Sequence, residues 1–204
     1  MQKRIKGQIA GADGNKEEGL FFIAIVPPKP TQSQVTQLKA EVREKYGSKH
    51  ALNSPPHITL HMPFKWKLSK LDLLEETLRR MSTNRHGFDV QLQGFNAFPP
   101  RVIYIDVTPN KELRSLQKQV ATMARRQLGL DNADYKNRGF QPHMTIAFRD
   151  LKKARFEEAW RDFEKRTFDA TFRVTSLTLF KNEDQRWNVY QEFPLEETPE
   201  LKNL

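Results

Sequence analysis

The sequence predicts an α+β fold with two pseudo-symmetric lobes of antiparallel sheet, flanking helices and a central cleft. Segments typical of strands and helices alternate along the 204 residues, and the order strand, helix, strand, helix, strand occurs twice. In addition, the pattern Pro-His-x-Thr followed by an apolar residue occurs twice, as PHITL at 56–60 and as PHMTI at 142–146. Two lobes that each contribute one such strand to a shared cleft are the simplest arrangement that fits both observations.

The first repeat contains three predicted strands: Leu20–Val26, His57–Met62 and Phe88–Phe98. Leu20–Val26 has the length and the β-branched content of a buried strand. A helix is expected to begin at about Thr31, a residue type that caps helices, and to stop at Gly47. Ser69 is expected to cap a second helix, whose apolar residues recur at helical spacing.

The second repeat contains four predicted strands: Val102–Val107, His143–Phe148, a strand around Thr171–Phe180 and an additional strand, Arg186–Phe193. Thr108 and Pro109 favour a helix start, and Gly129 favours its end. A further helix carries Phe156, Trp160 and Phe163 on one face. The NEDQ segment at 182–185 predicts the turn before the additional strand.

Composition and charge indicate one soluble domain. The apolar fraction of 37% and the charged fraction of 29% are typical of a globular protein. We expect a bilobal domain over 20–196, an N-terminal tail over 1–19 and a C-terminal tail over 197–204. No apolar stretch is long enough to cross a membrane, and the first nineteen residues lack the apolar segment of a secretory signal, so a cytoplasmic monomer is expected.

The chain has no cysteine, which excludes disulfides and thiolate metal sites. Its net charge of +9 favours a polyanionic partner, most often a nucleic acid, although a generic basic surface is the alternative.

The two His-x-Thr segments suit chemistry on a phosphodiester. Because side chains alternate along a strand, His57 and Thr59 point one way and the apolar residues between them point into a core. His143 and Thr145 are placed alike in the second segment. One histidine can accept a proton from a water or ribose hydroxyl while the other donates to the leaving oxygen, and an ordinary pKa of about 6.5 allows both forms near neutral pH. The threonine hydroxyls can donate to phosphate oxygens, so no cofactor, metal or covalent intermediate is required.

These paired segments, 86 residues apart from His57 to His143 (143 − 57), resemble the H-x-T/S motifs of the 2H phosphoesterase superfamily, in particular its 2′-5′ RNA ligase and cyclic phosphodiesterase branch. The resemblance covers roughly 20–193. It implies metal-independent hydrolysis of 2′,3′-cyclic phosphates or 2′-5′ linkages in RNA or nucleotides, or ligation in the reverse direction. It also implies that His57 and His143 are catalytic and that Thr59 and Thr145 bind the phosphate. A non-catalytic RNA or nucleotide binding module that uses the same cleft is the alternative.

Other residues have two interpretations each. His61 shares the predicted face of His57 and is expected to be a rim residue or a satisfied histidine, since a metal site with His57 and His143 lacks a carboxylate nearby. Trp66 and Trp187 could stack on a base, but core packing is the simpler role. The segment Lys65–Lys67 mixes an aromatic with two cations and is the better base-and-phosphate candidate, while the role of Arg149 is left open.

Overall fold

The structure is a computed structural model, and it describes residues 17–83, 85–131, 133 and 139–196. The tails predicted over 1–19 and 197–204 lie almost wholly outside these ranges. The described strands are β1 (Glu18–Ile25), β2 (Ile58–Lys67), β3 (Phe88–Phe98), β4 (Val102–Val107), β5 (His143–Ala147), β6 (Asp169–Val174), β7 (Ser176–Glu183) and β8 (Arg186–Pro194). The described α-helices are α1 (Lys29–Tyr46), α2 (Leu71–Ser82), α3 (Lys111–Leu128) and α4 (Lys153–Phe163).

The strands form two antiparallel sheets of four strands with matching organisation, so the predicted α+β fold with two lobes is confirmed. The first sheet has the order β2-β1-β7-β8 and the second has the order β5-β4-β3-β6. In each sheet the His-x-Thr strand is at the edge, and it pairs with the strand that begins its repeat. The two motif strands, β2 and β5, also contact each other, although they belong to different sheets.

The lobes do not coincide with the two halves of the sequence. The strand predicted around Thr171–Phe180 is two strands, β6 and β7, which belong to different sheets. The chain leaves the second sheet at Thr175, whose carbonyl accepts from Leu195 N, and returns to the first sheet. Residues 174–176, where the chain changes sheet, contain no glycine or proline. A strand can bend from one sheet to another without either residue, so the sequence contains no signal of the change. β3, from the first half, completes the second sheet.

The predicted helix ends are correct and the predicted N-caps are wrong. Gly47 and Gly129 end α1 and α3 with φ of 75° and 68°, values that glycine adopts without a steric penalty. Thr31, however, lies inside α1, because the helix already begins at Lys29 with proline in its first turn. Two other caps are corrected as follows: a 3₁₀ turn over Leu68–Lys70 replaces the cap expected at Ser69, and the side chain of Asn110, not Thr108, accepts from Leu113 N at the start of α3.

The helices cover one face of each sheet, and the core lies there. Ile58 and Leu60 of β2 and Met144 and Ile146 of β5 are buried in this core, as the alternation of the motifs predicts. The other face of the first sheet carries a separate small cluster, Phe22, Ala24 and Phe180, with Trp187 packed against it. The motif histidine and threonine lie on this other face, which the helices do not cover. The packing of the helices therefore decides which side of the sheet is free for chemistry.

Candidate active site

The two motif histidines are held in the same way. The Nδ1 atom of His57 lies 2.7 Å from Pro55 O, and the Nδ1 atom of His143 lies 2.7 Å from Gln141 O. A carbonyl oxygen can only accept, so Nδ1 carries the hydrogen in both rings and donates it. Each imidazole therefore has its Nε2 atom left to accept or donate a proton. The same two-residue loop that precedes each strand fixes the tautomer needed for acid–base chemistry.

Each imidazole also lies between two aromatic rings of its own sheet. The centroid of His57 is 4.8 Å from that of Phe22 and 5.5 Å from that of Phe180. The centroid of His143 is 5.2 Å from that of Phe98 and 5.0 Å from that of Tyr104. The aromatic neighbours come from the strand beside the motif strand and from the next strand along: β1 and β7 in the first sheet, β4 and β3 in the second. The equivalence of the lobes thus extends to the side chains around the histidines.

The surroundings lower the pKa of both histidines, so the expectation of ordinary values near 6.5 is wrong for the free protein. His57 keeps some exposed surface, yet its dense surroundings, the charge of Lys39 and the neighbouring His143 lower its pKa to about 3, against a smaller opposing effect of the bond to Pro55. Burial also lowers the pKa of His143, while the bond to Gln141 O and the negative charge of Asp106 act in the opposite direction. At neutral pH both rings are therefore neutral until a negative charge enters the cleft.

The two motif threonines lie where the sequence predicts. Thr59 follows His57 by two positions and pairs with Ala24, and Thr145 pairs with Tyr104, which contacts His143. Both threonine side chains are half-buried. Each hydroxyl therefore belongs to the face of its sheet that holds the histidine and the aromatic rings.

His61 does not share the face of His57, which corrects the prediction. Thr59 pairs with Ala24, while His61 pairs with Ile23, and a register shift lies between these two pairs. Ala24 and Ile23 point to opposite faces, so their partners do too. His61 is 1% exposed and lies against Phe64 in the core, and its Nδ1–H group donates to Met62 O. The β-bulge, which the sequence does not signal, turns this histidine away from the cleft.

The aromatic and cationic candidates divide between core and cleft. Trp66 packs against the core and donates to Lys70 O, and Lys65 pairs with Glu18 at 3.7 Å, so Lys65–Lys67 does not present a free aromatic ring beside its cations. Trp187 instead packs edge-on against Phe22, which contacts His57. Arg149 is exposed and lies over the ring of Phe148, directly after β5. Of these two tryptophans, Trp187 is the one that is linked to His57, through Phe22.

Two charged residues near the histidines were missed by the sequence reasoning. Lys39 is 3% exposed, and its Nζ atom donates to Ser54 O at 3.0 Å, three residues before His57. The sequence could have indicated that Lys39 is buried, because Lys39 lies at helical spacing between the apolar residues Val35 and Val42 of α1. Asp106 lies directly opposite His143 in the β4–β5 register. A charged residue inside the apolar strand Val102–Val107 was the signal for it.

Asp150 joins the segment after the second motif to the segment before the first. Its carboxylate accepts from Ser48 Oγ at 2.6 Å and from the backbone N–H groups of Lys49 and His50 at 2.8 and 3.0 Å. Burial acts to raise the pKa of Asp150, but these hydrogen bonds outweigh it and lower the pKa. The bonds fix the short turn over His50–Asn53 relative to the end of β5, and they therefore help to set where His57 begins its strand.

Within the described ranges, no group of three or more histidine, cysteine, aspartate or glutamate side chains could hold a metal ion. The same ranges contain no helix that is long and apolar enough to cross a membrane.

Two contacting edge strands each carry a histidine in a fixed tautomer and a threonine two residues later, and together they form a candidate two-histidine acid–base site. The comparison with known families agrees with this class. Residues 27–186 match the family described as the 2′-5′ RNA ligase superfamily, which is a 2H phosphoesterase family. The chain belongs to this family.

Proteins with similar sequences are named phosphoesterases. One relative, from Geobacillus kaustophilus (strain HTA426) and named "Putative phosphoesterase GK0864", is 30% identical over 177 residues, which cover 85% of this chain and 94% of the relative. Another "Putative phosphoesterase", from Oceanobacillus iheyensis, is 29% identical over 178 residues, 86% of this chain and 97% of the relative. These relatives support phosphoesterase activity as the general class.

Solved structures share the fold. E. coli LigT in complex with 3′-AMP aligns with a TM-score of 0.66 at 22% identity over 88% of this chain and 99% of LigT. The protein TT0787 of Thermus thermophilus aligns with a TM-score of 0.63 at 18% identity over 86% of this chain and 97% of TT0787. Identity at this level supports the two-lobed fold alone.

Proposed function

We propose that this protein is a metal-independent phosphoesterase that acts on a 2′,3′-cyclic phosphate or a 2′-5′ phosphodiester of RNA or nucleotides. His57 and His143 transfer the protons, and Thr59 and Thr145 donate to the non-bridging phosphate oxygens. The observation that carries the proposal is the matched tautomer of the two histidines: Nδ1 is occupied by a carbonyl in each ring, and Nε2 is left for the substrate.

The two neutral histidines suit a substrate that brings its own negative charge. A phosphodiester entering the cleft favours the protonated form of a nearby imidazole, because opposite charges stabilise each other at short range. One histidine then takes up a proton and becomes the acid, while the other stays neutral and serves as the base. A phosphate held between the two Nε2 atoms requires them to be roughly 5 to 8 Å apart, since hydrogen-bond reach is about 3 Å on each side.

The side chains around His57 suit a nucleotide. Phe22 and Phe180 are buried in a small aromatic cluster beside His57, and Trp187, which packs edge-on against Phe22, is only half-buried. An aromatic ring beside the acid–base pair can stack on the base of a bound nucleotide. The net charge of +9 favours the approach of an anionic substrate in general. LigT, which shares the fold, was solved with 3′-AMP bound.

The experiment is turnover of 2′,3′-cyclic AMP by the purified protein in excess EDTA, followed by separation of the 2′- and 3′-phosphate products. We expect turnover that EDTA does not reduce, because side chains supply the acid, the base and the phosphate donors. His57→Ala and His143→Ala should lose this turnover. His86→Ala is their matched control and should keep it, since His86 is exposed and far in sequence from both motifs. Binding of the nucleotide without any turnover would support the alternative of a non-catalytic binding module. Activity that EDTA abolishes and Zn²⁺ or Mn²⁺ restores would refute the metal-independent mechanism.

A further inference from the structure

Lys39 is a buried cation on a helix whose other lysines, Lys29 and Lys45, are exposed. Among the described residues its ammonium group forms no ion pair, and its one hydrogen bond goes to a neutral carbonyl, Ser54 O. Burial lowers the pKa of Lys39 to about 7. A buried ammonium without a carboxylate partner opposes folding, so such a residue is usually kept for a function.

The contacts of Lys39 lead directly to His57. Two consecutive carbonyls of the loop before β2 are occupied: Ser54 O accepts from Lys39 Nζ at 3.0 Å, and Pro55 O binds His57 Nδ1 at 2.7 Å. Lys39 therefore anchors the loop that sets the tautomer of His57. The helix that carries it, α1, also contacts the other motif strand, β5.

The charges around the two histidines are unequal. Burial is the largest cause of the lowered pKa of His57, and the hydrogen bond to Pro55 O opposes it. The two titratable groups that act on His57, Lys39 of α1 and His143 of β5, both disfavour a proton on it. The group that acts on His143 is Asp106 of β4, which favours a proton. In the first sheet the pairing of β1 with β2 ends at Ile25 and Ile58, and the residue that follows Ile25 is the apolar Val26, not an acidic residue such as Asp106.

Two acidic residues at the contact between α1 and α4 are paired. Glu41 binds Arg166 through both carboxylate oxygens at 2.9 and 3.0 Å and binds Lys45 at 2.8 Å. Asp162 accepts from Tyr46 and lies 3.8 Å from Arg166. His50, in the short turn before β2, lies against Phe148. These pairs stabilise the contact between α1 and the segment that contains α4 and Arg166. Lys39 is the residue of α1 whose charge acts on His57.

We propose that Lys39 is a positioning residue of the two-histidine site, which anchors the loop before His57 and whose charge adds to burial in disfavouring a proton on His57. This proposal rests on the proposed function and assigns the two roles within it. His57 Nε2 accepts the proton of the attacking water as its oxygen bonds to phosphorus. His143, beside Asp106, donates its Nε2 proton to the ribose oxygen as the phosphorus–oxygen bond breaks.

The first test measures protonation without turnover. The imidazole signals of His57 and His143 are followed by NMR from pH 2 to 8 in the free protein, with the His57 signal assigned from a His57→Gln spectrum. We expect Lys39→Met to raise the pKa of His57 by about one pH unit, the size typical of removing one nearby charge. Lys39→Arg should keep the pKa of His57 near that of the wild type. Lys29→Met, on the same helix and exposed, is the matched control and should leave it unchanged.

Three outcomes would overturn the proposal: an unchanged pKa of His57 in Lys39→Met, an equal change in Lys39→Arg, or an equal change in Lys29→Met. If Lys39→Met does not fold, Lys39→Gln removes the charge and keeps a donor for Ser54 O. Because the titration needs no substrate, it decides the role of Lys39 even if no cyclic nucleotide is hydrolysed, an outcome that would refute only the proposed function.

The second test concerns the assignment of roles. In Lys39→Met the acidic limb of the kcat/KM profile for 2′,3′-cyclic AMP should move to higher pH by the same amount as the pKa of His57, because the base must be unprotonated. Lys39→Arg should restore the wild-type limb. The limb alone does not tell acid from base, so the roles are tested with bis(p-nitrophenyl) phosphate, whose leaving group needs no proton. This ester should restore the rate of His143→Ala and not that of His57→Ala, and the reverse result would show that the assignment is wrong.

Discussion

Replacing Lys39 by methionine should make the protein more stable. The folded state lowers the pKa of Lys39 from 10.5 to about 7, so at pH 7 the unfolded chain binds a proton there more strongly than the folded protein does. This difference disfavours the folded state by roughly 4 kcal/mol. Methionine removes that cost and fills a similar volume, but it leaves Ser54 O without its donor, which costs about 1 to 3 kcal/mol. The net expectation is a gain of about 1 to 3 kcal/mol in the free energy of unfolding at pH 7.

The effect has a defined dependence on pH. A group whose pKa is lowered by folding makes the protein less stable as pH falls from its unfolded pKa to its folded pKa, which for Lys39 is the interval from 10.5 to about 7. The advantage of Lys39→Met should therefore be largest at pH 7 and below, and it should shrink by about 1.4 kcal/mol for each pH unit above that.

Urea unfolding of the wild type, Lys39→Met and Lys29→Met at pH 6, 7, 8 and 9 measures both effects. In thermal unfolding at pH 7 the melting temperature of Lys39→Met should rise by roughly 2 to 12 °C, since about 1 kcal/mol corresponds to 2 to 4 °C in a chain of this size. Lys29→Met should follow the wild type at each pH. The reasoning would be refuted if Lys39→Met were less stable than the wild type at pH 7, or if the difference between them did not change from pH 7 to 9.

Four further predictions concern the site. His57→Ala and His143→Ala should each reduce kcat by about 10² to 10⁴-fold, and the double variant should lose little more than the worse single one, since the two residues act in one step; folded variants with wild-type turnover would contradict the roles given to them. Thr59→Val and Thr145→Val should raise the barrier by about 1 to 3 kcal/mol, measured as kcat/KM, because each removes one donor to the phosphate; an unchanged kcat/KM would exclude phosphate binding by that hydroxyl. Because burial lowers the pKa of His143, kcat/KM should fall by about tenfold for each pH unit above roughly 6.5, while kcat, which reports the substrate complex, should persist to higher pH; a kcat/KM that rises through pH 7 to 8 would show that the free histidines are not neutral. Asp150→Ala should lower the free energy of unfolding in urea by about 2 to 4 kcal/mol, because it leaves Ser48 and two backbone N–H groups without their acceptor; a loss below about 0.5 kcal/mol would show that the turn does not depend on it.

The candidate site was predictable from the sequence because its signal is short and local. Alternation along a strand places His57 with Thr59 and His143 with Thr145, and it sends Ile58 and Met144 to the core. That rule depends only on backbone geometry within a few residues. For the same reason the bounds of β3 and β4, and the ends of α1 and α3 at their glycines, agree with the structure.

The rule fails where the backbone departs from regular pairing. His61 would face the cleft in an unbroken strand, but the register shift next to Ile23 turns it into the core. The change of sheet at Thr175 was missed because the residues on both sides of it are equally good strand formers. Each feature depends on a partner strand that is distant in the sequence, which a local pattern does not reveal.

The sequence by itself determined the fold class, the two motif strands and the four motif side chains. The tertiary structure alone decided that the lobes exchange strands across the two halves of the chain and that Trp187, not Trp66, packs against Phe22 beside His57. It also placed Lys39 on the loop before His57 and Asp106 opposite His143. The physical reason is that side-chain direction follows from backbone periodicity within one strand, whereas burial and the field of a charge depend on which distant elements pack together. The pKa of a histidine is set by those distant elements, and so the division of acid and base that we propose depends on the fold and not on the motifs.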